Sequence, residues 1–380
     1  MRILFLNYEY PPLGGGAANA TAYLLSEYSK SGTVVVDLVT SSPDEHQVIE
    51  VLGEDVQIHK LNIGKNGNLH HQSQLDLIRY SYKAYTYADG LLRANDYDVI
   101  HAFFGVPCGA LAMRLGKKHH IPYIVSLRGS DVPGYSERFA FLYNFLRPII
   151  VRVWKKAFRV VSNSQGLKDL ALLSAPEQEI GIIPNGVDTE RFFPTEAPVG
   201  EWVITAGATR LTQRKGLHLI IEAMPKLLCH NPKVVFEIMG DGASEEALRQ
   251  RAHELGVHAS VRFLGRIPAT ETVTYYQRAK VFVLPSANEG MSNALLEALA
   301  CGLPAVVTDT GGSSELVVEK ENGLVIERTV TAIEEALLYL LTHEEEREKM
   351  GRMSRVRAEA QSWSQVAEAY QAVYHEATHQ

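Results

Sequence analysis

The sequence is poor in cysteine, and the cysteines it has are scattered. Its 380 residues include Cys108, Cys229 and Cys301, an odd number with no CxxC spacing. This pattern excludes a disulfide scaffold and gives no sign of a zinc site. Three isolated thiols are typical of a protein from a reducing compartment.

The sequence also lacks long apolar runs and an excess of positive charge. No apolar run approaches the roughly 18 residues that a membrane-spanning helix needs. The apolar stretch within Met1–Leu6 is too short for a signal peptide, so we expect a cytosolic protein. The formal net charge of −7 argues against a nucleic-acid partner, because such proteins carry a basic footprint.

What is present is an ordinary globular composition in which strand and helix patterns alternate. Hydrophobic residues make up 46% and charged residues 21% of the chain. The alternation predicts parallel α/β layers. A turn-rich stretch between Pro184 and Gly200 separates two series of predicted strands. These are Ile3–Leu6, Val34–Val36, Asp98–His101, Tyr123–Ser126, Arg159–Ser162 and Ile180–Ile183, then Trp202–Thr205, Val234–Glu237, Val261–Leu264, Val281–Leu284 and Ala305–Val307.

The stretch from Glu289 to Glu297 is the most informative part of the chain. It follows the predicted strand Val281–Leu284 and contains a glycine and a predicted helix, Asn293–Ala300, with Ser292 as its N-cap. The start of such a helix suits a diphosphate, because its backbone N–H groups favour an anion. Glu297, about one turn into the helix, is placed to accept hydrogen bonds from two hydroxyls of a ribose. The combination predicts a nucleotide-sugar site.

In its Glu-(seven residues)-Glu pattern, this stretch resembles the signature of the retaining GT-B glycosyltransferases of family four, the glycosyl transferases group 1. The resemblance extends over nearly the whole chain, through the segments 11–16, 182–188, 208–216, 239–242, 261–267 and 362–367. It implies an α/β protein of GT-B fold, with two Rossmann-like doubly wound domains facing a cleft. The acceptor-side domain would span 1–192 and the nucleotide-sugar donor domain 193–361. A final helix, 362–380, would cross back to the first domain.

The resemblance also implies roles for individual residues. Glu289, Arg210 and Lys215 would be catalytic, with Glu289 contacting the donor sugar. The two cations would stabilise the negative charge that grows on the departing nucleotide, and no metal ion would be needed. The predicted donor-binding residues are Gly15, Gly16, Arg266, Gly290, Met291, Ser292, Asn293, Ala294 and Glu297. No cofactor is expected, because the nucleoside-diphosphate sugar is a co-substrate.

On the acceptor side, the loop Ser126–Asp131 carries Arg128 where many family members have a histidine. Arginine cannot serve as a general base. In a retaining transfer, however, the departing phosphate oxygen can take the acceptor's proton. We therefore expect Arg128 and Asp131 to lie on the acceptor side. Arg128 would either bind a phosphate or acidic acceptor, or form a salt bridge with Asp131.

Two other motifs suggest a dinucleotide site and a metal site, but their residues do not stand at the positions that such sites need. Gly14, Gly16 and Asp37 partly match a dinucleotide-binding fingerprint, but Asn19 occupies the third glycine position and Asp37 lies inside a predicted strand. The segment Asp96–Asp98 is formally a metal-binding DxD. It precedes a strand instead of following one, so no metal site is predicted.

A basic segment runs from Arg138 to Lys168, with seven basic residues and no acidic residue among interleaved apolar ones. One interpretation is a core helix with a solvated basic face. The other is a surface helix that touches an anionic bilayer or a lipid-phosphate acceptor. The second predicts weak, salt-sensitive peripheral contact with the inner face of a membrane.

Taken together, these patterns predict a retaining glycosyltransferase of polysaccharide or glycolipid synthesis. It would move a sugar from a nucleoside-diphosphate donor to a hydroxyl of a glycan or lipid-linked acceptor. Two alternatives remain open, a nucleotide-sugar 2-epimerase of GT-B fold and a catalytically silent sugar-binding scaffold. The donor sugar, the nucleobase, the acceptor and the linkage do not follow from the sequence.

Overall fold

The computed structural model describes residues 1–65, 72–135, 140–195 and 200–379 and, for residues 140–142, 144, 208 and 209, the backbone alone. The chain divides into two compact units. The first comprises Met1–Asn185 and Trp363–Gln380, and the second comprises Gly186–Ser362. Each unit is an α/β domain built on its own sheet.

The first unit has, within the described residues, an eight-stranded sheet in the order β3-β4-β2-β1-β5-β6-β7-β8. All neighbouring strands are parallel except the edge strand β3, which runs antiparallel to β4. The strands are β1 (Arg2–Leu6), β2 (Val35–Ser42), β3 (Val48–Leu52), β4 (Val56–Asn62), β5 (Val99–Phe103), β6 (Tyr123–Ser126), β7 (Arg159–Ser162) and β8 (Ile180–Ile182). The helices are α1 (Gly16–Ser31), α2 (Gln74–Ala94), α3 (Ala110–His119), α4 (Ala140–Lys156) and α5 (Gln165–Leu172).

The second unit has, within the described residues, an all-parallel six-stranded sheet in the order β11-β10-β9-β12-β13-β14. Its strands are β9 (Trp202–Arg210), β10 (Val234–Asp241), β11 (Val261–Gly265), β12 (Val281–Leu284), β13 (Ala305–Thr308) and β14 (Gly323–Ile326). Its helices are α6 (Leu217–His230), α7 (Glu245–Glu254), α8 (Thr272–Arg278), α9 (Asn293–Ala300), α10 (Gly312–Leu316), α11 (Val330–Thr342) and α12 (Glu344–Glu359).

The apolar runs form strands because both faces of each sheet are covered. In β12, Val281 and Val283 belong to one hydrophobic cluster, while Phe282 and Leu284 belong to the cluster on the other side. This alternation follows from the two-residue period of a strand. Every side chain of β12 is therefore buried, and the strand reads in the sequence as a continuous apolar run.

The final helix, α13 (Trp363–Thr378), belongs to the first unit and packs along α1. Trp363 stacks on Tyr23 with ring centroids 5.3 Å apart, and Tyr374 is fully buried. The stretch 186–192 is part of the second unit, so the first unit ends at Asn185, before the predicted boundary at 192.

In each sheet the strand order reverses at one point, between β1 and β5 in the first unit and between β9 and β12 in the second. Loops that leave the carboxyl ends of two such strands diverge and leave a crevice, which is where open α/β sheets bind ligands. Among the described residues, no helix has the length and apolar character required to cross a membrane.

Candidate active site

The reversal point of the second sheet brings two distant segments together. Lys215 follows β9 in a short 3₁₀ turn, Gln213–Lys215, and Glu289 lies on the loop between β12 and α9. The Nζ of Lys215 donates a hydrogen bond to Oε1 of Glu289. Two residues 74 positions apart in sequence are thus in direct contact because β9 and β12 are neighbours.

Two glycines permit this close approach. Gly216 has a φ of 70°, and a Cβ there would lie 2.2 Å from the carbonyl oxygen of Pro285. On the other side, a Cβ on Gly312 would lie 1.1 Å from the carbonyl oxygen of Gly290. Any larger residue at either position would push the Glu289 loop out of place. The glycine after Lys215 therefore has a definite structural purpose.

Glu289 is held by more than the lysine. Ser286 Oγ donates a hydrogen bond to Glu289 Oε1 at 3.0 Å, and Thr308 Oγ1 donates to the Ser286 carbonyl at 2.6 Å. Ser286 is fully buried and Glu289 is 8% exposed. The carboxylate consequently has a defined orientation at the end of β12.

The electrostatic environment keeps Glu289 ionised. Burial by itself would raise the pKa of its carboxyl group, but the charges of Lys215 and Arg214 oppose this effect. Together with the hydrogen bonds from Lys215 and Ser286, they bring the pKa of Glu289 below its ordinary value. A negative charge is thus fixed beside a lysine at neutral pH.

The predicted helix after this loop has the bounds predicted for it, Asn293–Ala300, and Ser292 is its N-cap. The Ser292 Oγ accepts a hydrogen bond from the backbone N–H of Leu295 at 3.4 Å. Gly290, Met291 and Ser292 are buried, whereas Asn293 and Ala294 are half-buried. The backbone N–H groups in the first turn of a helix have no hydrogen-bond acceptor within the helix. They therefore favour an anion at this position.

Glu297 is half-buried on α9, where Tyr276 donates a hydrogen bond to its Oε2 at 3.1 Å. Burial raises the pKa of Glu297 to about 7, and the Tyr276 hydrogen bond and the charge of Arg191 only partly oppose the rise. Gly207 on β9 leaves room for this arrangement, since a Cβ there would lie 2.6 Å from the Tyr276 hydroxyl. Glu297 therefore differs sharply from Glu289, because it titrates near neutral pH.

Arg210 and Arg266 occupy strand ends of the same sheet. Arg210 is the last residue of β9 and pairs in register with Asp241 of β10. Arg266 is exposed and directly follows β11, two strands from β9. Both lie at the carboxyl edge of the sheet, as Lys215 and Glu289 do, and their predicted contacts with a donor stay predictions.

In the first unit, Gly15 is the N-cap of α1 and Gly16 its first residue, after β1. A Cβ on Gly16 would meet no atom within 4 Å, so this position opens onto space. Gly14 differs, because it has a φ of 93° and a Cβ there would lie 2.5 Å from the carboxylate of Glu9. The predicted role of Gly15 and Gly16 in phosphate binding stays a prediction.

Arg128 and Asp131 lie together in the loop after β6, but their side chains do not pair. Asp131 Oδ1 accepts a hydrogen bond from the Arg128 backbone N–H at 2.9 Å, and its Oδ2 accepts from the Gly105 N–H at 2.8 Å. The Arg128 guanidinium donates instead to Asn185 Oδ1 at 2.9 Å and to the Tyr370 hydroxyl at 3.2 Å. Of the two interpretations, the salt bridge between the side chains is therefore wrong.

A buried polar network lies behind this loop and was not predicted. His101 on β5 contacts the Tyr374 hydroxyl through Nδ1 and Ser126 Oγ through Nε2, both at 2.7 Å. Ser126 in turn lies 3.0 Å from the Tyr370 hydroxyl, which Arg128 also contacts. Burial and the nearby Arg128 charge keep the pKa of His101 well below its usual value.

Asp37 and Asp98, which belong to the two competing motifs, make hydrogen bonds within the fold. Asp37 is buried inside β2, and its carboxylate accepts hydrogen bonds from Arg2 and Tyr97 and contacts His59. Asp98 accepts a hydrogen bond from the Arg2 backbone N–H at 2.7 Å, just before β5. Neither aspartate is placed for a nucleotide at the carboxyl end of a strand.

Sequence reasoning missed Ser286, Thr308, Tyr276 and Arg191 as neighbours of the two glutamates. Only Ser286 had a local signal, since it follows the end of β12 and precedes Glu289 by three positions. A pocket of about 400 Å³ opens beside it and is also lined by Thr308, Asp309 and Arg328. A pocket of about 450 Å³ in the first unit includes none of the predicted site residues.

Two family models match the chain, one largely in each unit. The model of the glycosyl transferases group 1 matches residues 188–357, and the model of glycosyltransferase family 4 matches residues 14–191. Between them the two models span both units and include Glu289, Glu297, Arg210 and Lys215.

Individual relatives extend the comparison. The chain is 30% identical over 280 residues to the GDP-mannose-dependent alpha-(1-6)-phosphatidylinositol monomannoside mannosyltransferase of Mycolicibacterium smegmatis, covering 68% of this chain and 71% of the relative. It is 27% identical over 342 residues to an uncharacterized glycosyltransferase of Methanocaldococcus jannaschii, covering 85% and 84% of the two chains. The sucrose-phosphate synthase of Thermosynechococcus elongatus shares the fold, with a TM-score of 0.83 at 20% identity over 99% of this chain and 98% of that one.

Proposed function

Because this chain belongs to the GT-B glycosyltransferases of group 1, we propose that it transfers a sugar from a nucleoside-diphosphate sugar to a hydroxyl acceptor with retention of the anomeric configuration. The observation that carries the proposal is the contact of Lys215 with Glu289 at the strand-order reversal of the second sheet. Beside this pair lies the capped N-terminus of α9.

Each charged group has a distinct task in this proposal. Lys215 and Arg210 bind the donor diphosphate and stabilise the charge that accumulates as the sugar–phosphate bond breaks. The N-terminus of α9 contributes N–H groups to the same phosphates. When the donor binds, Lys215 exchanges part of its contact with Glu289 for the diphosphate.

Glu289 contacts hydroxyls of the donor sugar, and Ser286 holds its carboxylate in the required direction. Glu297 accepts hydrogen bonds from the ribose hydroxyls, for which its carboxylate must be ionised. The departing phosphate oxygen takes the proton of the acceptor hydroxyl on the same face of the sugar. No residue of the chain is needed as a base in that step.

We propose that the reaction needs no metal ion, because two cationic side chains beside the phosphate site supply the positive charge that a metal ion would otherwise provide. Calorimetry with UDP and with GDP in excess EDTA tests this part. Binding of one nucleotide that is unchanged by EDTA is the expected result. Binding that the chelator abolishes would contradict it.

Product analysis tests the reaction itself. The protein is incubated with a panel of nucleotide sugars, and NMR identifies the first-formed product. A free or transferred sugar with the donor's anomeric configuration is expected. An inverted anomer would overturn the retaining assignment. A sugar epimerised at C2 would instead identify a nucleotide-sugar 2-epimerase, and nucleotide binding without turnover would indicate a silent scaffold.

The acceptor belongs to the class of glycans or lipid-linked sugars in this proposal. The support is the relative of Mycolicibacterium smegmatis, whose name gives a phosphatidylinositol monomannoside as its acceptor. The same product analysis identifies the donor sugar.

A further inference from the structure

Arg328 lies between the end of the last strand and the start of a helix in the second unit. The strand β14 ends at Ile326, and Thr329 is the N-cap of α11, with its Oγ1 accepting a hydrogen bond from the Ala332 N–H at 3.2 Å. The connection between them is two residues long, Glu327 and Arg328. With a strand before it and a capped helix after it, the backbone of Arg328 has a fixed position from which the side chain extends.

The guanidinium of Arg328 binds carbonyl oxygens of two other loops. Its Nε donates a hydrogen bond to the Pro285 carbonyl oxygen at 3.1 Å, and its Nη2 donates to the Gln213 carbonyl oxygen at 3.5 Å. Gln213 begins the 3₁₀ turn that ends at Lys215, and Pro285 precedes Glu289 by four positions. One side chain therefore connects the two segments whose charged residues form the candidate site.

This connection reaches across the sheet. Arg328 follows β14, whereas Pro285 follows β12 and Gln213 lies after β9, in the strand order β9-β12-β13-β14. Neighbouring strands are about 4.8 Å apart, so β14 and β12 are separated by roughly 10 Å. A long side chain is needed to cover this distance, and the planar guanidinium presents its N–H donors in a fixed fork to both acceptors.

Backbone contacts bring the same segments together. The Ala287 N–H donates a hydrogen bond to the Arg214 carbonyl oxygen at 2.8 Å, which joins the loop after β12 to the turn after β9. Gly216 lies directly against the Pro285 carbonyl oxygen, from which a Cβ on this glycine would be 2.2 Å away. This carbonyl group, which Arg328 also binds, is thus the point at which all three segments meet.

The Arg328 guanidinium also lies close to the start of α6. Burial and, to a lesser extent, the charge of Arg328 lower the pKa of His218, the second residue of this helix. The N-terminal end of a helix disfavours a cation, so α6 does not explain why Arg328 is there. The two carbonyl oxygens do explain its position, because each accepts a hydrogen bond from it.

We propose that Arg328 is a positioning residue for the transfer reaction, because it fixes the segment that carries Lys215 relative to the segment that carries Glu289. Through Gln213 it holds the turn that presents Lys215 to the diphosphate. Through Pro285 it holds the loop that presents Glu289 to the donor sugar. The role in transfer rests on the proposed function, whereas the connection of the two segments does not.

Two simpler roles lead to different expectations. An arginine that merely stabilises a surface loop would change the free energy of unfolding and leave the turnover of the folded protein unchanged. A third cation for the diphosphate would act through its charge, and a lysine would replace it. A positioning arginine needs its fork, because a lysine ammonium offers a point charge in place of donors in a fixed geometry. Arg328→Lys and Arg328→Gln therefore distinguish the three roles.

Hydrogen exchange tests the connection without reference to any activity. Full-length Arg328→Lys and Arg328→Gln are compared with the wild type by mass spectrometry of peptides that cover 213–217 and 285–289. Exchange should be about fivefold faster in both peptides, as for the loss of one hydrogen bond that holds the amides of Gly216 and Ala287 in place. Peptides from α12 are the internal reference and should not change. Unchanged exchange in the two segments would overturn the proposal.

Steady-state transfer kinetics test the role in the reaction. We expect kcat to fall about tenfold in both variants, because small displacements of reacting groups are costly. The KM for the donor should change less than about threefold. Arg352→Gln, on the exposed side of α12 in the same unit, is the matched control and should keep the wild-type kcat. The midpoint of urea unfolding should stay close to that of the wild type in all three variants.

Several kinetic results would contradict the positioning role. Wild-type kcat in Arg328→Lys would show that charge alone acts, and a raised donor KM at constant kcat would show that Arg328 binds the donor itself. A loss shared equally by Arg352→Gln would show a general effect of charge. A wild-type protein without transfer activity would refute the proposed function, and the exchange data would then decide alone whether Arg328 connects the two segments.

Discussion

The two units bury polar side chains at the carboxyl edges of their sheets in different ways. In the second unit, Lys215 and Glu289 are opposite charges that contact each other, and the lysine side chain remains 14% exposed. In the first unit, His101 and the Arg128 guanidinium contact four neutral groups, two of which, Tyr370 and Tyr374, are on α13. A diphosphate can replace Glu289 as the partner of Lys215, whereas the network of the first unit ties α13 to its sheet.

This difference indicates which substitutions should affect turnover and which should affect stability. Loss of a charge directed at a transition state lowers the rate constant and leaves the fold intact. Loss of a member of a buried hydrogen-bonded network lowers the free energy of unfolding, because its former partners are left buried without hydrogen bonds. Substitutions in either unit can therefore contradict this comparison.

The largest effect is expected for Lys215→Ala and for Arg210→Ala. Each should lower kcat by about 10² or more, because a cation directed at the departing diphosphate is lost. Steady-state transfer assays provide the measurement. Lys226→Ala is the control, since this exposed lysine of α6 pairs with Glu334 on the same unit. Near wild-type turnover of the Lys215 variant would refute the phosphate assignment.

Arg128→Gln should act on the stability of the first unit. It removes hydrogen bonds to Asn185 and Tyr370 and should lower the free energy of unfolding by about 2 kcal/mol. Urea unfolding in a Trp202→Phe background is suitable, because the remaining tryptophans, Trp154 and Trp363, are both in the first unit.

Arg114→Gln, on the exposed side of α3, is the control for this experiment and should be neutral. Nucleotide affinity should be the same in both variants. If Arg128→Gln unfolded at the wild-type urea concentration, the network would have no stabilising role and the comparison between the units would fail.

Glu297 should make nucleotide affinity depend on pH. Its pKa of about 7 in the free protein means that below pH 7 the carboxyl group must lose a proton before it can accept ribose hydrogen bonds. Affinity should therefore rise about tenfold between pH 6 and pH 8. Calorimetry with a nucleotide sugar across this range measures the effect.

Glu297→Gln removes the titrating group, so its affinity should be weaker and should lack this pH dependence. Glu297→Ala should likewise weaken binding more than it slows the chemical step. A pH dependence that the Gln variant keeps would come from the nucleotide or from another residue, and the prediction would be wrong.

His101 should give the smallest effect, a loss of stability in acid. Its pKa lies well below 6.5 in the folded protein and near 6.5 in the unfolded chain, so the unfolded chain binds more protons. The stabilisation is complete above pH 6.5 and is lost as the pH falls. Between pH 6.5 and 5.5 the loss should be about 1 kcal/mol.

Urea unfolding at pH 7.5, 6.5 and 5.5 measures this slope, again through the tryptophans of the first unit. His101→Gln should unfold more readily at every pH but with a shallower dependence on pH. A slope identical to that of the wild type would assign the proton uptake to another histidine.

Local pattern predicted most of the elements on which the site depends. The strand Val281–Leu284, the helix Asn293–Ala300 and its cap Ser292 were predicted with the bounds that the structure shows. The strands β3, β4 and β14 were not predicted. The segment Val48–Leu52 (β3) is apolar at four of its five positions but lacks the strict alternation of a half-buried strand, and in the structure Val51 is 64% exposed.

The sequence by itself determined the class of fold, the family resemblance and the residue types of the candidate site, because these depend on local periodicity and on spacings within single segments. Only the tertiary structure decided which of those residues meet. It placed Lys215 on Glu289, turned the Arg128 guanidinium away from Asp131 towards Tyr370, and surrounded Glu297 so that its pKa is near 7. Each of these outcomes depends on the order of parallel strands and on burial, to which segments distant in the sequence contribute together.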